Sequence, residues 1–201
     1  TLEVVAGYSY QDWDTYSPNN PTWNEAQDSI IAPASAFPFF TRNVLMSYYG
    51  RAILNYDGKY VVNVSLRRDG SSRFSPETRW GLFPAASAAM ILSEMDFLKN
   101  NKNINMLKVR AGWGVTGQQD GIGDYAYIGN YFQGATTAQY AFGGQYYQVL
   151  RPAGFDANLK WEETSSTNIG LDYGFFKNRI NGSIDYYKKK TYDLLAVIPT
   201  I

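Results

Sequence analysis

The feature that most constrains this chain is a strict alternation of apolar and polar side chains, repeated in separate stretches along its length. From Tyr60 to Arg68, the residues Tyr60, Val62, Val64 and Leu66 fall on one side, with Asn63, Ser65 and Arg67 on the other. Between Met106 and Thr116, Leu107, Val109, Ala111, Trp113 and Val115 oppose Lys108, Arg110, Gly112 and Gly114. Thr167, Ile169, Leu171, Tyr173 and Phe175 oppose Asn168, Gly170, Asp172 and Gly174, and Ile180, Gly182, Ile184 and Tyr186 oppose Asn181, Ser183 and Asp185. Ser47–Tyr56 alternates in the same way, and Leu2–Tyr10 more weakly. Successive side chains of a strand point to opposite faces, so each stretch reads as a β-strand with one apolar and one polar face. Trp80–Ile91 is apolar or small on both faces, and Pro84 cannot donate to a ladder, so a bulge or an edge is expected there. Seven strands result, and the fold class is all-β and antiparallel.

The connections alternate in length. Asp57-Gly58-Lys59 and Lys177-Asn178 predict tight hairpin turns, and "SEMDFLKNN" predicts a short helix capped by Ser93. The other links are long: 11–46, 69–79 and 117–163. In an up-and-down sheet every long loop then lies at one end, the asymmetry of outer-membrane β-barrels. Nine residues from Tyr60 to Arg68 extend about 30 Å and, tilted by about 40°, rise about 23 Å, close to the apolar band of such barrels. Tyr56, Tyr60, Tyr173 and Phe175 by the short turns, and Trp80 and Trp113 near the long loops, read as two aromatic girdles. The competing fold is a soluble β-sandwich, a carbohydrate-binding domain in that reading, which also alternates apolar-in and polar-out. Long links gathered at one end disfavour it.

Composition narrows the function. Aromatics make up 16% of the chain and charged residues 18%, so rings that suit half-wet surfaces replace part of the usual charge. Lys+Arg and Asp+Glu balance at 18 each, which gives no reason to expect a nucleic-acid partner. There is no Cys and no His, which removes thiolate and imidazole chemistry and argues against an enzyme. No cofactor or metal is expected. The "DGIGD" turn with Asp120 and Asp124 is too short for a calcium loop, and adjacent Glu162 and Glu163 point to opposite faces. The opening "TLEVVAGYSY" lacks a basic segment and a cleavage motif, and reads as mid-strand rather than as a signal peptide. Seven strands cannot close a bacterial barrel, so residues 1–201 are expected to be one partial barrel domain within a longer protein.

The stretch "LRRDGSSRF", followed by "RWGLFPAASAAM", resembles the SusC/RagA family of TonB-dependent outer-membrane transporters. So do "LKVRAGWGVTGQQDGIGDYAY" and "NLKWEETSSTNIGLDYGFFKNRINGSIDYYKKKTYDLL". The likeness runs from about Tyr48 to the C-terminus, while residues 1–47 share only the general style. It implies a barrel of about 22 strands in the bacterial outer membrane, filled by a plug domain. It also implies energisation by TonB, a SusD-like surface lipoprotein as partner, and import of an oligosaccharide or peptide. Neither a plug nor a TonB box is legible in this sequence. A passive porin is the alternative of another class.

Within that frame Asn63, Ser65, Arg67, Lys108, Arg110, Asn168, Asp172, Asn181 and Asp185 face the lumen. Arg68 and Lys188–Lys190 meet lipid headgroups or lipopolysaccharide, and Asp69-Gly70 turns the chain out of the sheet. Arg73 and Arg79 are expected to pair with Asp69, Glu77 or lipopolysaccharide, while Phe74, Trp80 and Phe83 anchor the returning strand at the interface. The loop 117–161 is rich in rings, and Tyr125, Tyr127, Tyr131 and Trp161 are its candidate ligand contacts, although such a loop also needs a small core of its own.

Overall fold

The computed structural model describes residues 1–17, 20–33, 39–135 and 137–196. Among these, thirteen strands follow in chain order. They are β1 (Leu2–Ser17), β2 (Thr22–Trp23), β3 (Ile30–Ala32), β4 (Phe39–Tyr56), β5 (Tyr60–Ser71) and β6 (Trp80–Ile91). After them come β7 (Ile104–Gln118), β8 (Tyr131–Gln133), β9 (Gln139–Phe142), β10 (Gln145–Gln148), β11 (Leu150–Pro152), β12 (Glu162–Phe175) and β13 (Ile180–Tyr192). Seven of them form one antiparallel sheet in the order β1-β4-β5-β6-β7-β12-β13. These are the seven strands read from the sequence. The short strands form three two-stranded ribbons, β2-β3, β9-β10 and β8-β11, all within the long connections.

Cross-strand partners share a face, so the register sorts the side chains without further assumption. Val64 opposes Ala52 and Ala86, and Ile169 opposes Ala111 and Tyr186. The apolar sets thus form one continuous face. Mid-sheet on that face, Val64 is 51% exposed and Ile169 53%, because no second layer covers them. Aromatics bound this uncovered band. Tyr8, Tyr48 and Trp80 make a row toward the long loops, with ring centroids 5.2 and 6.2 Å apart, and the Arg68 guanidinium lies 4.8 Å from the Trp80 ring. Toward the short turns stand Tyr56–Tyr60 and the stacked pair Tyr173–Phe175.

Several strands run further than the sequence suggests. β1 continues to Ser17 and β4 begins at Phe39, so much of the expected loop 11–46 is ladder. The 18 residues of β4, at the usual rise and tilt, climb roughly 45 Å, well beyond an apolar band of about 25 Å. Their tops stand clear of it as a rim. Asp69-Gly70 does not leave the sheet either: β5 holds them to Ser71, and the turn is 72–79. Pro84 sits in a straight ladder opposite Leu66, with no bulge. Pairing of β6 with β7 starts only at Ala85, so Pro84 is tolerated at the end of that ladder. The expected helix is a three-residue 3-10 turn, Leu92–Glu94. Ser93 lies buried inside it and is not the cap.

At the short-turn end, Asp57 and Gly58 take φ of 54° and 64°, the two left-handed positions of a type I′ hairpin. The Asn55 side chain accepts from the Gly58 amide at 3.2 Å. Lys59 reaches Asp57 at 2.9 Å, and this hydrogen-bonded ammonium holds the Asp57 carboxyl below its ordinary range.

The buried hydrophobic residues are Phe74, Phe83 and Trp161, packed with Leu45, Val115, Ile122, Leu159 and Leu195. This cluster sits where turn 72–79 folds against the long connection before β12. Phe74 and Phe83 pack against Trp161 with ring centroids 5.2 and 5.4 Å away, the first tilted and the second edge-to-face. They are core residues, not membrane anchors; of the three expected anchors only Trp80 lies on the uncovered apolar face. Gly117 is glycine for a local reason, since a Cβ there would collide with the Phe83 ring.

Candidate functional site

The second face of the sheet is polar, and the register places all the expected lumen residues on it. Lys108 opposes Asp172, Gly112 opposes Asn168, and Gly170 lies between Arg110 and Asp185. Asn63 and Arg67 follow on β5, and Asn181 opposes Gly174. Arg110 crosses β12 to reach β13, with Nη1 2.7 Å from Asp185 and Nη2 3.2 Å from Asp172, while Lys108 approaches Asp172 at 3.6 Å. Gly170 makes that crossing possible: a Cβ there would stand 2.5 Å from the Arg110 guanidinium carbon. Two cations and two carboxylates therefore cancel on three adjacent strands. Arg51 donates to Asn63 at 2.8 Å, and Arg67 donates to Asp69 at 2.7 Å and to Ser47 at 2.9 Å. Asn181 stands apart, donating to the Asn178 carbonyl at the short turn. The face is polar, charge-balanced and held in place by its own pairs. Charge-assisted hydrogen bonds of this kind are short and fix side-chain direction.

Above the face, the rim is clamped. The Ser72 amide donates to the Val44 carbonyl at 2.9 Å, and Thr78 Oγ1 donates to the Leu159 carbonyl at 2.6 Å. Trp161 Nε1 donates to the Arg79 carbonyl at 2.8 Å. Trp161 is thus buried on both counts, ring and N–H, and it does not serve as an open stacking surface. Arg73 turns inward rather than toward lipid. It pairs with Asp124 at 3.0 Å and Asp120 at 3.3 Å, and donates to the Gln119 carbonyl at 3.3 Å. Asp69, its expected partner, is taken by Arg67. The "DGIGD" carboxylates are an arginine clamp, and among the described residues no group of three or more acidic or other ligating side chains could hold a metal. Tyr125 is held beside β4, accepting from the Arg42 amide at 3.4 Å. Tyr127 is half-buried, and Tyr131 is exposed on the β8-β11 ribbon. No ring contact among the described residues joins these three.

One cavity opens where the tops of β1 and β4 meet this clamp. It holds about 350 Å3 and is lined by Trp13, Thr15, Asn43, Arg73, Gln119, Asp120 and Asp124. Trp13 and Asn43 are direct cross-strand partners on the polar face. Sequence reading missed both because it placed them in a loop; the alternation Trp13, Thr15 against Asp12, Asp14 was the available signal.

A family profile described as TonB dependent receptor-like, beta-barrel, matches residues 1–201. The chain belongs to this family. It is 44% identical over 187 residues, 92% of its length, to the TonB-dependent receptor SusC of Bacteroides thetaiotaomicron. It is 36% identical, over 99% of its length, to a TonB-dependent receptor of Formosa agariphila. Residues 1–201 span about a fifth of these relatives, 18% and 19%. The fold matches the RagAB peptide transporter with a TM-score of 0.78 at 20% identity, covering all of this chain and 22% of that one. It also matches the RagAB peptide importer in its closed-closed state, with a TM-score of 0.79. The seven-stranded sheet is accordingly an arc of a TonB-dependent receptor barrel wall.

Proposed function

We propose that this chain forms part of the wall of a TonB-dependent importer in the bacterial outer membrane. The observation that carries the reading is the division of one sheet into an uncovered face of Val, Leu and Ile and an opposite face of balanced charges and amides. Lipid covers the first without cost, and water wets the second. In this reading Asn63, Ser65, Arg67, Lys108, Arg110, Asn168, Asp172, Asn181 and Asp185 line the passage. The cargo is an oligosaccharide or a peptide, and a SusD-like lipoprotein covers the rim. TonB supplies the energy, and the role is transport rather than catalysis. Tyr125 and Tyr131 present open rings to cargo or lid at the rim.

Energised and passive passage separate in one assay. Cells producing the full-length protein take up a fluorescent oligosaccharide or peptide, and a protonophore is then added. Collapse of uptake is expected. Uptake that persists without the proton gradient overturns the importer in favour of a passive porin.

A further inference from the structure

We propose that the rim cavity between β1, β4 and the Arg73 clamp is a binding subsite for one sugar ring of a neutral glycan. The inference rests on the importer reading and names the substrate class and the residues that meet it first.

Size and place come before chemistry. About 350 Å3 is at the lower end of small-molecule cavities, roughly 300–1,000 Å3, enough for one ring of an oligosaccharide and too little for a whole chain. The cavity opens on the same face as the charge-balanced passage, because Trp13 and Asn43 share that face by register. A cargo molecule descending from the rim therefore meets it before Arg67 and Arg110.

Trp13 supplies the platform. It is 45% exposed and carries the one large apolar surface in the lining, which suits the C–H face of a sugar ring and gives no enclosed slot for a peptide side chain. Around it stand two carboxamides, Asn43 and Gln119, with the carboxylate of Asp120. A hydroxyl both donates and accepts, and amides and carboxylates placed side by side satisfy neighbouring hydroxyls in both roles. The Gln119 side-chain oxygen is buried and has no hydrogen-bond partner among the described residues. An unpaired buried acceptor is destabilising, and rotation of the Gln119 side chain toward the cavity would let a ligand hydroxyl relieve it.

Charge argues against an anionic ligand. Arg73 is the cation of the lining, and Asp124 and Asp120 already hold it. No free positive charge is left for a peptide carboxylate or an acidic sugar. The walls are also set in advance: Asn43 is 6% exposed, and its Oδ1 accepts from Ser72 Oγ at 3.3 Å, on the turn that carries Arg73. A pre-formed site loses little side-chain freedom on binding.

The test uses the full-length protein, purified in detergent and titrated calorimetrically with neutral hexasaccharides (an α-1,4-glucan, a β-1,4-glucan and a β-2,1-fructan) and with an uncharged hexapeptide. Protonophore-sensitive uptake of the same probes is measured in cells. Binding of a hexasaccharide is expected, weakened about tenfold by Trp13→Ala and largely kept by Trp13→Tyr. Gln119→Leu removes the unpaired oxygen, so it is expected to weaken sugar binding while thermal stability stays level or rises. A merely structural Gln119 would not separate those two readouts. If an oligosaccharide binds and enters equally well in Trp13→Ala and Gln119→Leu protein of normal membrane abundance, the subsite is overturned and the importer stands. If only the peptide binds and enters, the sugar assignment is overturned and the importer again stands. If no probe shows energised uptake, the importer reading falls and the subsite with it.

Discussion

The middle of the sheet and the loop cluster above it are built from the same kinds of side chain, yet they hide them in different places. At mid-height Val64, Leu66 and Ile169 are about half exposed to whatever surrounds the wall, and no second layer of the described residues covers them. At the rim Phe74 is fully buried and Trp161 and Phe83 nearly so, packed on one another as in a soluble domain. The wall is therefore stabilised by its surroundings and its ladder, whereas the rim carries its own small core. Apolar composition alone does not say which solvent a residue has been matched to.

The sharpest way to break that contrast is to remove the ring on which the rim core is built. Trp161→Ala in the full-length protein in a lipid nanodisc is expected to cost about 3–5 kcal/mol locally. Amide hydrogen exchange is expected to rise across 72–79 and 119–161 while β5 and β7 stay protected. Equal loss in the strands would show that wall and rim are one cooperative unit. The reverse perturbation is Val64→Arg on the outer face, with an expected cost of about 2–4 kcal/mol if that position sits near the bilayer midplane. It is read from denaturant unfolding out of vesicles, with rim exchange unchanged. Arg73→Met strips the partner from Asp124, whose side chain is 15% exposed, and is expected to cost about 1–3 kcal/mol. Faster exchange confined to the loop that begins at Gln119 checks it.

The smallest effect lies at the opposite end. The Asp57 carboxyl titrates below its ordinary value of 3.8 because Lys59 hydrogen-bonds its charged form. A depressed folded value means that this contribution to the turn is present at neutral pH and is lost as pH falls through that midpoint. Lys59→Met is expected to move the midpoint, followed by carbonyl NMR, upward toward 3.8.

What the sequence made legible follows the same division. Where one side of a strand meets lipid and the other meets water, Val62, Val64 and Leu66 against Asn63, Ser65 and Arg67 must alternate, and the strand and both its faces can be read directly. Above the band both sides of β1 and β4 meet water or loops. The ladder continues through Trp13 and Asn43, but selection for alternation relaxes and the strands read as loop. Rim contacts were hidden for another reason: Arg73 meets Asp120 and Asp124 some fifty residues away, and Trp161 meets Phe74 across an even longer interval. No local pattern encodes such pairings. The stretch "RRDGSSRFSPETRW" was read as a membrane boundary, and in the structure its Arg68 lies over the Trp80 ring on the uncovered apolar face. Its Arg73 and Phe74 instead fasten the rim.

Each long strand pairs only with the long strands next to it along the chain, and at the lower end the links 57–59 and 176–179 are tight, with 92–103 the one longer connection. A wall of this kind can lengthen one hairpin at a time from a growing margin, each addition needing only the strand laid down before it. The connections above enter that scheme solely through the entropy of closing them, which rises by only about 0.6 kcal/mol for each doubling in length. Assembly of the wall is thereby uncoupled from the design of its rim: the rim can be rebuilt without re-specifying the order in which the staves are set.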